Sequence, residues 1–238
     1  MGKLQAGTSG WAYTKWKPGF YPAKVASANF LSHYASRLNS VELNYTFRSV
    51  PTEKLLNGWI AATPPHFTFA VKAHQSITHI KRLRNAASAA TEFIASLAPF
   101  EKAGRLGPIL FQLPPNLKCD LPLLKDFLAG LPRSTRCTFE FRHSTWFQDD
   151  VYDALKTANV ALCQAESEDL ETPAVQTANF IYLRLRKDSY SPKTRKVLAE
   201  KLRKQIKKND AFVYFKHEDS PDNALHAEEL LNVVITKA

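Results

Sequence analysis

Eight short apolar runs alternate with amphipathic stretches along the whole 238-residue chain, and this alternation most limits what it can fold into. The strand-like runs are Leu4 to Thr8, Ser40 to Leu43, Phe67 to Lys72, Pro108 to Gln112, Cys137 to Phe141, Val160 to Gln164, Phe180 to Arg184 and Phe212 to Phe215. Helical spacing is read over Ala26 to Leu38, Thr52 to Ala62, Ala86 to Ala103, Leu121 to Leu128, Asp149 to Ala158, Thr194 to Lys208 and Ala224 to Val233. Strands separated by helices point to an α/β protein with a parallel sheet, and eight such units at this length fit a (β/α)8 TIM-type barrel. The stretch from Glu166 to Ala178 is acidic and loop-like, so the barrel is expected to be irregular around its sixth strand. A doubly wound open sheet is the alternative, but the first turn carries no GxGxxG and no P-loop occurs. With no repeat, linker or low-complexity segment, residues 1–238 read as one domain.

Composition narrows the class. An apolar content of 45% and a charged content of 23% are those of a globular protein. No apolar run approaches the roughly 18–20 residues of a membrane span, and the first residues hold neither a signal-peptide block nor the Ser or Thr of a myristoylation site (Ala6 stands there). A cytoplasmic protein without a membrane partner is the expectation. Cys119, Cys137 and Cys163 show no metal or disulfide spacing and read as reduced, mostly buried thiols.

The net charge of +10 favours an anionic partner, either a small molecule or nucleic acid. Much of it is concentrated between Lys193 and Lys208, where Val197, Leu198, Leu202 and Ile206 recur at helical spacing. The lysines there read first as the solvated face of an amphipathic helix, and only second as a nucleic-acid stripe.

In a barrel of this kind the loops after the strands form the working face. The strand ends facing it carry Ser9 and Trp11, Glu42 and Asn44, Lys72 and His74, Gln112, then Glu140, Arg142 and His143. Further on come Gln164 and Glu166, Arg184 and Arg186, and finally Lys216, His217 and Glu218. The opposite ends offer nothing comparable. Strand parity selects among these residues. Thr68, Ala70 and Lys72 share one side of the third strand, Thr138, Glu140 and Arg142 one side of the fifth, and Tyr182, Arg184 and Arg186 one side of the seventh. The expected cluster is therefore Glu42, Lys72, Glu140, Arg142 and Arg184. It reads either as an ion network satisfying polar groups at the barrel top or as a site where carboxylate or lysine moves protons while arginines hold an anion.

A metal centre would require three or four convergent ligands. His74, His79, His143 and His217 are scattered over separate loops without an HxH or HExxH pair, so no cofactor is expected and a divalent ion is the minor alternative. His33 and His66 read as structural or surface residues. Trp11, Tyr13, Trp16, Phe20 and Tyr21 crowd the first loop and Trp146 follows the fifth strand; they read equally as ring-stacking groups and as local core. Trp59 reads as helix core.

Gly7-Thr-Ser-Gly-Trp-Ala-Tyr, Phe20-Tyr-Pro, Val41-Glu-Leu-Asn-Tyr-Thr-Phe, Phe69-Ala-Val-Lys and Ile77-Thr-His occur in that order. Leu106-Gly-Pro-Ile-Leu-Phe-Gln-Leu-Pro-Pro, Glu140-Phe-Arg-His-Ser-Thr-Trp and Tyr214-Phe-Lys-His follow. Together they resemble the YecE-like family, the domain of unknown function numbered 72, over nearly the whole chain. The resemblance implies a TIM barrel and no established reaction. The residues matching its motifs are Trp11, Glu42, Asn44, Lys72, His79, Gln112, Glu140, Arg142, His143, Trp146 and Arg184. Arg48, Arg186-Lys187 and Lys216-His217-Glu218-Asp219 depart from the commoner pattern and make the mouth more basic.

The leading expectation is an enzyme for a phosphorylated or otherwise anionic substrate, working by hydrolysis or isomerisation. Glu42, Lys72, Glu140 and His143 are its catalytic candidates. Trp11, Tyr13, Asn44, Gln112, Arg142, Trp146, Tyr182, Arg184, Arg186, Lys216 and His217 are its substrate-binding candidates. The alternatives are a nucleic-acid-binding barrel connected with repair and a non-catalytic interaction protein.

Overall fold

A computed structural model of the chain describes residues 2–166, 170–187, 189–216 and 219–235. Its strands are β1 (Leu4–Thr8), β2 (Ser40–Leu43), β3 (Thr68–Lys72), β4 (Leu106–Gln112), β5 (Cys137–Glu140), β6 (Ala161–Ala165), β7 (Phe180–Leu185) and β8 (Asp210–Phe215). Helices α1 (Phe30–Arg37), α2 (Glu53–Ala61), α3 (Ala87–Ala95), α4 (Ala98–Lys102), α5 (Leu121–Ala129), α6 (Asp149–Ala158), α7 (Pro192–Gln205) and α8 (Asp222–Ile235) lie between and after them. All strand pairs are parallel, in the order β1-β8-β7-β6-β5-β4-β3-β2, so the fold is a single-domain TIM-like barrel.

Local chemistry accounts for the helix ends. Thr52, Asp120 and Ser191 each accept a hydrogen bond from a backbone N–H in the first turn of α2, α5 and α7. Asn159 ends α6 in the left-handed conformation, a role its short polar side chain tolerates. The helix expected from Ala86 to Ala103 is instead two, broken at Ser96 and Leu97 ahead of Pro99, which cannot donate to a preceding turn. The helix expected from Ala26 contracts to α1 behind a short 3-10 turn over Ser27–Asn29. Between β6 and β7 the described residues form no helix, as the sequence implied.

The barrel closes without a backbone ladder between β1 and β2. The Asn39 amide takes that place, accepting from Ala6 N at 2.9 Å and donating to Leu4 O at 2.8 Å. The Tyr34 hydroxyl accepts from Thr8 N at 2.8 Å and donates to Ser40 O at 3.0 Å. Gly7 allows the two strands to approach, because a Cβ there would lie 1.8 Å from Ser40 O.

Apolar residues segregate into two layers. Val41, Phe69, Val71, Phe111, Phe139, Leu183 and Val213 pack outward against the helices. Ala70, Leu110, Ala161, Cys163, Phe180, Tyr182, Phe212 and Tyr214 fill the barrel, large rings on β7 and β8 facing small side chains on β3 and β6. At the lower end the Arg136 guanidinium sits 5.8 and 5.7 Å from the Phe180 and Phe212 rings and pairs with Asp210 at 2.8 Å. Arg136 thus covers the two rings at the floor, while the ionic cluster of the interior gathers at the C-terminal ends of the strands.

Candidate active site

Parity carries Glu42, Lys72, Gln112, Glu140, Tyr182 and Arg184 from five strands to one end of the barrel. Arg184 lies at the centre, 2% exposed, with Glu42 and Glu140 at 0% and 1%. Its two terminal nitrogens donate to different carboxylates, one to Glu140 Oε2 at 2.5 Å and the other to Glu42 Oε1 at 2.7 Å. Buried charges persist only when paired, and here both terminal nitrogens of Arg184 are, while its Nε has no hydrogen-bond partner among the described residues. Glu42 also accepts from Ser9 Oγ at 2.8 Å and from the Tyr182 hydroxyl at 2.7 Å, with Asn44 Nδ2 farther off at 3.4 Å. Glu140 accepts from Gln112 Nε2 and from an Arg186 terminal nitrogen, both at 2.9 Å.

Burial acts to raise the Glu140 pKa, but the charges of Arg184 and Arg186 and the surrounding hydrogen bonds outweigh it and bring it down to about 2. The same balance, with Arg184, Tyr182 and Ser9 opposing burial, holds Glu42 below the ordinary carboxylate range. Both groups are therefore ionised near neutral pH, with their acceptor positions occupied by donors. They orient Arg184 and the groups around it, and neither is poised to take a proton.

Lys72 behaves differently. Its ammonium donates to Gln112 Oε1 at 2.7 Å and stands 4.3 Å from the centre of the Phe47 ring. Burial and the Arg184 charge, opposed by Glu42 and Glu140, bring its pKa to about 8. Both protonation states are thus populated close to physiological pH.

Above Lys72 lies an irregular segment that the sequence did not reveal. Ser76–Ile80 forms one π-helical turn, and Arg82, Leu83 and Asn85 follow with φ of 49°, 69° and 47°. Left-handed backbone at non-glycine residues costs of order 1–3 kcal/mol per residue, and such strain concentrates at functional sites. Here it carries His79 to the Phe47 ring, 4.8 Å away and nearly perpendicular to it. Burial lowers the His79 pKa, and the positive charges of Lys72, Arg142 and Arg82 lower it further. Cations therefore converge on one rim of the mouth, displaced from the two carboxylates.

The remaining expected site residues are not drawn into this cluster. Arg142 was placed in it by parity, but β5 ends at Glu140, and the Arg142 side chain is exposed. His143 is a local cap: its Nδ1 accepts from the Thr145 N–H at 3.3 Å and lies 3.0 Å from Thr145 Oγ1. Trp146 is corrected to core, being fully buried, stacked on Phe141 at 4.6 Å and donating through its indole N–H to Leu117 O at 2.7 Å. Lys216 is exposed, and its carbonyl accepts from Asn223. His217 and Glu218 lie outside the described residues. Trp11 and Tyr13 line a separate cleft beside Asn44. Among the described residues no three His, Cys, Asp or Glu side chains are grouped to hold a metal ion, and no helix is long and apolar enough to cross a membrane.

Fold and site together define a TIM-like barrel with a buried, paired ionic cluster beneath a cationic rim. The sequence profile described as "Protein of unknown function DUF72" matches residues 5–237, and the chain belongs to that family. It is 31% identical over 160 residues to the UPF0759 protein YunF of Bacillus subtilis (strain 168), a match covering 63% of this chain and 54% of that protein. The chain thus spans about half the length of that relative. Crystal structures of DUF72 family proteins share the fold. That from Thermotoga maritima MSB8 superposes with a TM-score of 0.85 at 23% identity, over 98% of this chain and 99% of its own. That from Enterococcus faecalis V583 superposes with a TM-score of 0.75 at 17% identity, over 99% and 98%.

Proposed function

We propose that the chain is an enzyme that binds a small anionic substrate at the barrel mouth and moves a proton through Lys72. The observation that carries this reading is the placement of Lys72: an amine pinned by Gln112 and Phe47 beside a cationic rim, apart from the carboxylates that would otherwise pair with it. An anion near Lys72, His79 and Arg142 relieves the mutual repulsion of those groups, and so adds to its own binding. A lysine that titrates near 8 then serves as base or acid toward the held molecule. Glu42 and Glu140 have their acceptor positions filled, which argues against a hydrolysis run by two carboxylates. Proton abstraction next to a carbonyl, as in isomerisation, needs only one base and a held anion, and suits the arrangement better.

Solvent exchange tests this directly. Phosphorylated and carboxylated aldoses and ketoses are incubated with the protein in deuterated water and followed by proton NMR. Deuterium should enter next to the carbonyl of at least one compound, with a pH midpoint near the Lys72 value of about 8, and Lys72→Met should abolish it. Exchange that survives this substitution, or no exchange by a protein that also fails to bind inorganic phosphate, overturns the reading.

A second reading has its own support in α7, whose exposed face carries Lys193, Lys196, Lys201 and Lys204, with Lys207 and Lys208 just beyond. As a nucleic-acid surface it requires an oligonucleotide affinity that falls steeply with salt, because each neutralised phosphate releases counterions. A flat salt response removes it.

A further inference from the structure

Next to the ionic cluster, the loop after β1 and the N-terminal half of the barrel enclose a cleft of about 310 Å³, lined by Trp11, Tyr13, Tyr45 and Trp59 with Ser9 and Asn44 among its polar groups. Trp59 is its base, lying nearly flat against Phe100 at 6.3 Å. Trp11 and Tyr45 both stand almost perpendicular to Trp59, at 5.5 Å and 6.3 Å. The walls are braced from outside: the Tyr13 hydroxyl donates to Ser9 O at 2.8 Å, and the Tyr21 hydroxyl to Trp11 O at 2.5 Å. Tyr45 keeps 54% of its surface exposed. An aromatic enclosure that is already formed loses little entropy when a ligand enters.

The cleft is one short turn from the proposed anion site. Tyr45–Phe47 is a single 3-10 turn, with Tyr45 on the cleft and Phe47 beneath the Lys72 ammonium. Thr46, between them, donates to Lys72 O at 2.6 Å and Leu43 O at 3.0 Å, which ties the turn to the ends of β2 and β3. Two residues of chain span at most about 7 Å between Cα atoms, so both places are built on one short stretch of backbone. Ser9 and Asn44 join the cleft to the ionic cluster through Glu42.

We propose that this cleft is the ring subsite of the ligand whose anionic group binds at Lys72, and that the ligand is a phosphate ester carrying a planar heterocycle, of the size of a nucleoside monophosphate. The proposal rests on the anion-binding reading of the mouth. Its lining selects a neutral ring over other occupants. No carboxylate lines the cleft, and the neighbouring rim is cationic, so an ammonium group is disfavoured there. A saturated chain would leave Asn44 unused, whereas this lining residue has a buried Oδ1 without a hydrogen-bond partner among the described residues, an acceptor that a ring N–H could satisfy. Stacking on Trp and Tyr supplies affinity that depends little on which base is present.

Calorimetric titration with inorganic phosphate, ribose 5-phosphate, adenosine and AMP separates the contributions. AMP should bind about tenfold or more tightly than ribose 5-phosphate, the gain expected for one stacked base. Trp11→Ala and Tyr45→Ala should each remove most of that gain, leave ribose 5-phosphate binding unchanged and preserve the far-UV circular dichroism. Lys72→Met should weaken phosphate and ribose 5-phosphate but not adenosine. If AMP and ribose 5-phosphate bind equally, or Trp11→Ala weakens both alike, the ring subsite is overturned and the anion site stands. Adenosine binding with no phosphate binding keeps the ring cleft and overturns the joint ligand. If none of the four binds, both readings fall.

Discussion

Lys72 and Glu140 end the two strands that flank β4, and the Gln112 amide stands between them, accepting from the lysine at 2.7 Å and donating to the carboxylate at 2.9 Å. A direct ion pair would hold the lysine fully protonated. The neutral amide instead leaves Lys72 exposed to the effects of burial and of Arg184, and its pKa settles at about 8.

Gln112→Glu tests that separation. A carboxylate in this place accepts from Lys72 with a full negative charge, and raises the lysine pKa by about one unit or more. It also exchanges the donor to Glu140 for a like charge. The pKa is read from the chemical shift of Lys72 after reductive methylation with 13C-formaldehyde. An unchanged value would show that Gln112 does not set the lysine's titration.

Lys72 should make stability depend on pH in the alkaline range. Its folded pKa, about 8, lies below the ordinary 10.5, so between those values the unfolded chain binds more protons and stability rises with pH. Below about pH 8 the buried ammonium carries its full cost. Lys72→Met should therefore stabilise the protein by about 1–2 kcal/mol at pH 7, after a discount for solvent screening, and flatten the rise above pH 8. Urea unfolding at pH 7 and pH 10 measures both effects, and a destabilised variant with an unaltered slope contradicts the assignment.

Glu140 should act in the opposite sense and in acid. Its folded pKa of about 2 lies below the ordinary 4.5, so its contribution is complete above about 4.5 and is lost as the pH falls toward 2. Glu140→Gln removes the charge that Arg184 and Arg186 share, which for a buried pair costs about 3–5 kcal/mol. The variant should be less stable at pH 7 and should lose less than wild type between pH 5 and pH 3. Parallel acid unfolding curves would place the acid sensitivity elsewhere.

Much of this architecture is readable from residue order because the physics behind it is local. Strand parity within β2, β3, β5 and β7 places Glu42, Lys72, Glu140 and Arg184 on one side of the sheet, and barrel closure brings them together. The same rule fails at Arg142 because alternation holds only while the strand lasts, and β5 stops two residues earlier. Trp146 and Trp11 look alike in sequence, as aromatics just beyond a strand. One folds back over the outer face against Phe141 and the other stands at a cleft, a difference made by tertiary packing. The strained segment from Ser76 to Asn85 was hidden because its left-handed residues are Arg, Leu and Asn, and no glycine marks the turn. Pro99, by contrast, was a visible break that helical periodicity across Ala86 to Ala103 obscured.

The closure between β1 and β2 yields the last prediction. Elsewhere a backbone ladder joins neighbouring strands, but here the Asn39 amide satisfies both Ala6 N and Leu4 O. Asn39→Ala removes two hydrogen bonds and leaves two backbone groups at the seam seeking water, so it should cost about 2–3 kcal/mol. Asn39→Asp retains the acceptor for Ala6 N but loses the donor to Leu4 O, and should fall between the two. Gly7→Ala should be more severe than either, since its methyl group would meet the Ser40 carbonyl at 1.8 Å with no flexible side chain to yield. Chemical denaturation should rank the four proteins as wild type, Asn39→Asp, Asn39→Ala and Gly7→Ala in decreasing stability. Amide hydrogen exchange at Ala6 and Thr8 should quicken first in the Asn39 variants. If those amides stay as protected as the β7–β8 ladder, the barrel does not depend on Asn39 for its closure.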